Sequence, residues 1–262
     1  MVDMLIAALA GICAGVLNGL NGSSAFGIIT PVLILFLRID PYAAIGISLA
    51  TDVVSSAVSA GSYFRGGHIQ IKTVYPMVIA VVAGTLIGSV VSQYIPSGKL
   101  GGFSGIFTII IGISFLRKPS FKLFENFKKK LLPGSSGKQT LLSVVLCFFI
   151  GIICGIIGFG GGRMIFIILM AVLSFPIHTA VGTAVSIMFF SALSGTVGHI
   201  FLGRITWLIL MACCAGAALG AALSSRFAAL TSDKILMTLS GFIFIVLGSI
   251  AFVYQIIRGG TP

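Results

Sequence analysis

The chain has 262 residues, of which 58% are hydrophobic and 8% charged. That composition excludes a water-soluble domain and leaves a polytopic membrane protein, with several apolar runs near the ~20 residues needed to cross a bilayer. The net charge of +11 does not mark a nucleic-acid binder, because seven of the sixteen Lys and Arg residues lie between Arg117 and Lys138, with Glu125 the only acid among them; no basic stripe interleaved with aromatics occurs elsewhere.

In chain order, the first apolar run, Met4 to Leu17, lacks a basic n-region and a small-residue cleavage site, so it reads as a retained helix over Val2–Leu17. Asn18-Gly-Leu-Asn21-Gly22-Ser23-Ser24 then interrupts it. A short apolar piece follows from Ala25 to Leu37 with Pro31 inside; alone it is short for a span, so the pair is a broken helix plus an extension or a re-entrant hairpin. Arg38-Ile-Asp40-Pro41 turns the chain into a helix from Tyr42 to Phe64. Further spans are expected at Val74–Tyr94 and Leu100–Leu116. The basic stretch is a loop that the positive-inside rule places in the cytoplasm, within reach of anionic lipid headgroups.

The second half repeats the plan. Leu141–Ile157 is apolar, then come Gly158-Phe-Gly160-Gly161-Gly162, then a short piece from Met164 to Leu173; Pro176 opens a helix reaching Leu202, and spans follow at Ile205–Leu223 and Ile235–Ile257. Gly11-Ile-Cys-Ala-Gly15 parallels Gly151-Ile-Ile-Cys-Gly155, Pro41 with Gly46-Ile-Ser parallels Pro176 with Gly182-Thr-Ala, and Gly84-x-x-x-Gly88 parallels Gly216-x-x-x-Gly220. The expected fold is therefore an all-α polytopic membrane protein of two homologous halves. Each has about four transmembrane helices and opens with a Gly-interrupted (broken or re-entrant) helix. Residues 1–117 form the N-terminal transmembrane repeat, 118–138 the basic cytoplasmic linker and 139–262 the C-terminal transmembrane repeat. If each half crosses an even number of times the halves are parallel; if the short piece adds a crossing or returns as a hairpin, they invert. Interrupted segments at matching positions of two repeats point to a transporter's binding site.

Three consecutive glycines weaken any helix, and an unwound turn in lipid survives only where protein or a polar cavity covers it. Gly160, Gly161 and Gly162, followed at once by the permanent cation of Arg163, form either an anion site or a glycine packing seam with Arg163 snorkelling to an interface. Asp52 is the other ionisable residue besides histidine that lies well inside an apolar run. A lone carboxylate there is costly, which leaves three roles: a structural ion pair with Arg163, a coupling proton carrier, or a group facing a wet cavity. Ser48, Asp52, Ser55 and Ser59 share one helical face. Thr183, Ser186, Ser191 and Ser194 precede His199 on the matching helix, where His199 is either an interfacial histidine or a ligand contact. The five cysteines, Cys13, Cys147, Cys154, Cys213 and Cys214, lie in apolar segments without CxxC spacing and read as buried free thiols. No GxSxG, HExxH or acid-pair-plus-histidine set is present, and Gly160–Gly162 lacks the Lys-Ser/Thr end of a Walker loop.

Gly155-x-x-Gly158-x-Gly160-Gly161-Gly162, Pro176-x-x-x-Ala180-x-Gly182-Thr183, His199-x-x-x-Gly203-x-Ile205 and Gly216-Ala-Ala-Leu-Gly220 together resemble the sulfite exporter TauE/SafE family, also called toluene sulfonate uptake permeases. The first half departs from that family's Gly-x-Gly-Gly-Gly tendency at Asn18–Ser24. The resemblance implies a multi-pass inner-membrane transporter of sulfite, organosulfonates or related small anions. With no ATP site in the chain, the driving force is a gradient or the membrane potential. Half-helix N-termini at Gly22–Ser24 and Gly160–Gly162 would offer N–H groups to an oxyanion. Asn21, Ser23 and Ser24 would add donors, Arg163 the countercharge, Thr183 and His199 further contacts, and Asp52 proton coupling or an ion pair. The expected partners are the small anion, membrane lipid and a second copy in a homodimer; no cofactor and no metal are expected. A channel-like anion pore and a non-transporting membrane subunit of an enzyme complex are the alternatives.

Overall fold

The structure, a computed structural model, describes residues 1–116, 136–202, 206–227 and 233–259; most of the basic 118–138 stretch therefore lies outside the described residues. Ten helices and no strand occur among them. They are α1 (Val2–Asn21), α2 (Phe26–Phe36), α3 (Pro41–Arg65), α4 (Ile71–Ser92), α5 (Ser97–Leu116), α6 (Ser136–Ile157), α7 (Gly162–Ala171), α8 (Ile177–Leu202), α9 (Trp207–Phe227) and α10 (Asp233–Gly259). Eight are long and apolar enough to cross a membrane; α2 and α7 are the short ones. Helices dominate because only they satisfy every backbone polar group within one segment in hydrocarbon. α3 starts where sequence chemistry demands it: the Asp40 carboxylate accepts the Tyr42 N–H at 3.0 Å and Pro41 takes the first helical position.

Close backbone approaches at glycine set the helix pairs and their directions. A methyl on Gly11 would strike the Cys213 carbonyl, one on Gly15 the Ala217 carbonyl, and one on Gly216 or Gly220 the Ala8 or Ile12 carbonyl, so α1 and α9 lie side by side and parallel. Gly84 and Gly88 meet Phe148 and Ile152 while Gly151 and Gly155 meet Val81 and Thr85, so α4 and α6 are parallel too. Small residues that admit backbone contact are how membrane helices gain packing energy without a hydrophobic drive between them. α5 and α10 run antiparallel, with Gly105 against Phe252 and Gly112 against Gly241. α3 and α8 do likewise, with Tyr63 at Gly182 and Leu49 at Gly195. α2 begins beside Asp52 at the middle of α3 and ends just before Pro41. It therefore runs back along α3 as a short arm.

Helix α1 runs one turn past the expected Leu17 and ends at Asn21. Its polar last turn is stabilised from outside: Asn18 donates its amide to Ser55 Oγ at 3.0 Å, and Gly22, left-handed at φ 69°, closes the end with its N–H on the Asn18 carbonyl at 2.8 Å. Large exposed apolar side chains, such as Ile79 of α4, Phe149 of α6, Met211 of α9 and Phe242 of α10, give the surface the character that lipid contact requires. All five cysteines are unpaired; Cys147, Cys154 and Cys213 are buried, whereas Cys13 is exposed, which corrects the reading of every thiol as buried.

Candidate functional site

The segments 22–25 and 158–161 meet in the interior, and Ser24 joins them. Its hydroxyl donates to Asp52 Oδ2 and accepts the Gly160 N–H at 3.0 Å and the Phe26 N–H at 3.2 Å. Asp52 Oδ1 accepts the Ala25 N–H at 2.6 Å. The Asp52 carboxylate thus sits on the N-terminus of α2, where free N–H groups and the helix dipole favour negative charge. Asp52, Ser24 and Ser23 are all buried. Glycine is required at 160 because a methyl there would lie 2.6 Å from Asp52 Oδ2 and 3.0 Å from the Met188 sulfur. A methyl on Gly162 would meet the Gly22 carbonyl and, at 2.7 Å, the Met188 sulfur. Gly22, Gly158 and Gly161 take left-handed backbone conformations, φ 69°, 84° and 80°, which a side chain would strain.

Arg163 opens α7 and is 2% exposed. Its guanidinium carbon lies 4.4 Å from the Phe115 ring centre and 5.3 Å from that of Phe166, a cation–π setting. Nε and Nη2 are buried and make no hydrogen bond. The structural ion pair between Asp52 and Arg163 is therefore not formed: both carboxylate oxygens are taken by the Ser24–Ala25 turn, and the guanidinium faces aromatic rings instead. The competition was decided by the Ala25 N–H and the Ser24 hydroxyl, which come against Asp52 once α2 folds back along α3.

Of the other residues singled out in the sequence, Gly22, Ser23, Ser24, Gly160, Gly161 and Gly162 are brought to this junction by the two connecting segments. Asn21 ends α1 beside it; its side chain lies outside the described residues. Thr183 and His199 lie toward opposite ends of α8. Thr183 Oγ1 accepts the Gln70 N–H at 3.2 Å, close to where Gly182 meets Tyr63 and His68. His199 is fully buried. Its Nε2 lies 3.1 Å from the Gly155 carbonyl, its ring is 4.7 Å from that of Tyr42, and its Nδ1 makes no hydrogen bond. At the other end Tyr63 donates to the Gly19 carbonyl at 3.4 Å and Ser62 bonds Ser225 at 2.9 Å. Between them, Thr85 and Ser191 share a hydrogen bond at 3.0 Å.

Sequence reasoning missed the Ala25 N–H, which is invisible in side-chain chemistry, and Met188. The latter had a signal: it follows Gly182 by the same interval as Asp52 follows Gly46. Among the described residues no group of three or more His, Cys, Asp or Glu side chains could hold a metal.

Eight span-length helices and two short apolar ones, with a carboxylate and a guanidinium buried among them, define a multi-pass membrane protein. The chain belongs to the TauE/SafE family: the model described as "Sulfite exporter TauE/SafE" matches residues 7–251. It is similar to the "Probable membrane transporter protein YunE" of Bacillus subtilis (strain 168), 26% identical over 94% of this chain and 96% of that one. It is also similar to the "Probable membrane transporter protein YdhB" of the same strain, 26% identical over 85% and 89%. A third relative is the "Probable membrane transporter protein ORF9" of a Sinorhizobium species, 24% identical over 97% and 92%. No solved structure matches the chain. The protein is a membrane transporter.

Proposed function

We propose that the protein is a secondary transporter of a small anion, sulfite or an organosulfonate, in the inner (plasma) membrane, and that the anion binds between two inverted halves at the junction of 22–25 and 158–163. The observation that carries this reading is the meeting of the two connecting segments at one buried point, with the Gly160 N–H on Ser24 Oγ. The family's description as sulfite exporters supplies the substrate class. Arg163, with Nε and Nη2 both free of hydrogen bonds, supplies the countercharge and can hold two oxygens at once. Such transporters place the substrate where interrupted helices of two repeats face each other.

Local geometry supports the duplication. Gly22 and Gly158 both take left-handed conformations, and each closes its helix with an N–H bond of 2.8 Å, to Asn18 and Cys154. Arg38 and Ser174 share φ values of 53° and 56°. Ile39 N–H to Leu33 and Phe175 N–H to Leu169 are matching bonds of 3.1 and 3.0 Å. Tyr63 on the Gly19 carbonyl matches His199 on the Gly155 carbonyl. Every one of these pairs has the same sequence offset. The helix directions support inversion, because α1 runs parallel to α9 and α6 to α4 while α3 opposes α8. An inside-negative potential favours export of an uncoupled anion.

Counterflow in proteoliposomes tests the reading: radiolabelled sulfite is added outside vesicles loaded with unlabelled sulfite or a sulfonate. Saturable counterflow that is lost in Arg163→Gln is the expected result. Flux without saturation or counterflow would make the protein a pore, and no flux from folded protein would remove the transport of these anions.

A further inference from the structure

Resting on that reading, we propose that Asp52 is the site's resident anion: its carboxylate occupies the donors on which the substrate's oxyanion lands, so the substrate displaces it and binds together with one proton. The groups an incoming oxyanion needs are the Ala25 N–H, the Ser24 hydroxyl and the N–H groups of the 158–161 segment. In this structure the first two are engaged by Asp52, and the third reaches the same Ser24 oxygen. Asp52 makes this contact without a cation: it is fully buried, and Arg163 lies against Phe115 and Phe166. A second anion cannot share these donors with an ionised carboxylate, because two like charges a few ångströms apart in a low dielectric repel strongly. Protonated Asp52 accepts fewer hydrogen bonds and carries no charge, and the donors turn to the substrate.

The counterpart of Asp52 on α8 is Met188, a neutral thioether packed against Gly160 and Gly162. One half thus brings its own anion to the junction and the other brings none. That asymmetry yields one anion and one proton per cycle rather than two. Transport of a monoanion is then electroneutral, and the concentration and pH gradients set its direction while the membrane potential has no hold on it.

Among the described residues, the other ionisable side chains near the junction are Arg163 of α7, whose guanidinium lies against Phe115 and Phe166, and two thiols. Cys154 of α6 lies near Asp52, and Cys214 of α9 faces Thr51. α1 brings Asn18, α2 brings Ala25 and Phe26, and α8 brings Met188. Lys99 of α5 is exposed at its helix's start. Tyr42, with His199 beside it, lies ten residues along α3 from Asp52, about 15 Å, and Tyr63 lies a similar distance the other way.

The test is calorimetry of methanesulfonate binding to the detergent-purified full chain, in buffers of different ionisation enthalpy. Methanesulfonate is ionised at every pH used, so any proton taken up belongs to the protein. Wild type is expected to take up one proton per anion bound, with affinity falling about tenfold per pH unit where Asp52 is ionised. An infrared difference spectrum should gain a protonated-carboxyl band on binding. Asp52→Asn should bind with no proton uptake and no pH dependence, while Cys154→Ala should keep both. Binding by wild type without proton uptake, or loss of binding in folded Asp52→Asn, would overturn the proposal. Should Asp52→Asn fail to fold, the wild-type proton count and infrared band decide by themselves. No binding of methanesulfonate or sulfite by wild type would instead defeat the anion reading itself, and this inference with it.

Discussion

Replacing Ser24 by Ala should cost the fold more than its size suggests. Ser24 Oγ carries three contacts at once: it donates to the Asp52 carboxylate and accepts from Gly160 and Phe26. A hydrogen bond to a charged group contributes about 1.5–3 kcal/mol, and a buried N–H left without an acceptor costs about 1–3 kcal/mol. Partial relaxation of the 158–161 segment recovers some of this, so the net loss should be about 2–4 kcal/mol. The control is Ser48→Ala on the same helical face as Asp52: Ser48 is equally buried, but its hydroxyl has no partner, so its removal should change stability by less than about 0.5 kcal/mol or raise it. Thermal unfolding of the purified variants in detergent, followed by a buried-cysteine thiol probe, compares the two. Equal stability of Ser24→Ala and Ser48→Ala would refute the idea that Ser24 ties the two segments together.

Other outcomes follow from the same geometry. Arg163→Gln removes a buried cation without an ionic partner, so thermal stability should hold or rise while sulfite binding is lost; a large fall in melting temperature would assign Arg163 to packing. Gly151→Ala drives a methyl into the Val81 carbonyl and to 3.0 Å from Thr85 N, and should cost about 2 kcal/mol or more by separating α4 from α6. Gly61→Ala, with open space around it, should gain about 0.5–1 kcal/mol from helix propensity; the same unfolding assay separates the two. Met188→Asp places a second carboxylate against Gly160 and should lower methanesulfonate affinity at least about tenfold at neutral pH, read by calorimetry.

Much of this architecture is written in residue chemistry that acts locally. Apolar runs of span length mark eight helices. Gly84, Gly88, Gly216 and Gly220 announce the close helix seams, because a backbone contact in lipid needs a residue without a side chain. The glycines at 158 and 160–162 mark the second connecting segment, since no helix keeps that composition. The polar last turn of α1 misled the boundary at Leu17: Asn18 looked like a break but is held in the helix by Ser55 on another element. The partner of Asp52 was illegible for a similar reason. Side-chain charges suggested Arg163, whereas the deciding donors were the Ala25 N–H and the Ser24 hydroxyl, brought into place only by the return of α2 along α3. His199 was ambiguous in the sequence because the Tyr42 ring that packs against it lies more than half the chain away.

If one small anion binds where the segments 22–25 and 158–163 meet, a crystal structure with a bromine-labelled alkylsulfonate will show it, since the anomalous signal of bromine locates the ligand independently of the protein map. A single peak is expected beside Gly160–Arg163, with the sulfonate oxygens on the freed Ser24 and Ala25 donors and on Arg163, and the Asp52 carboxylate turned away. A peak elsewhere, with Asp52 still seated on Ser24 and Ala25, would contradict it.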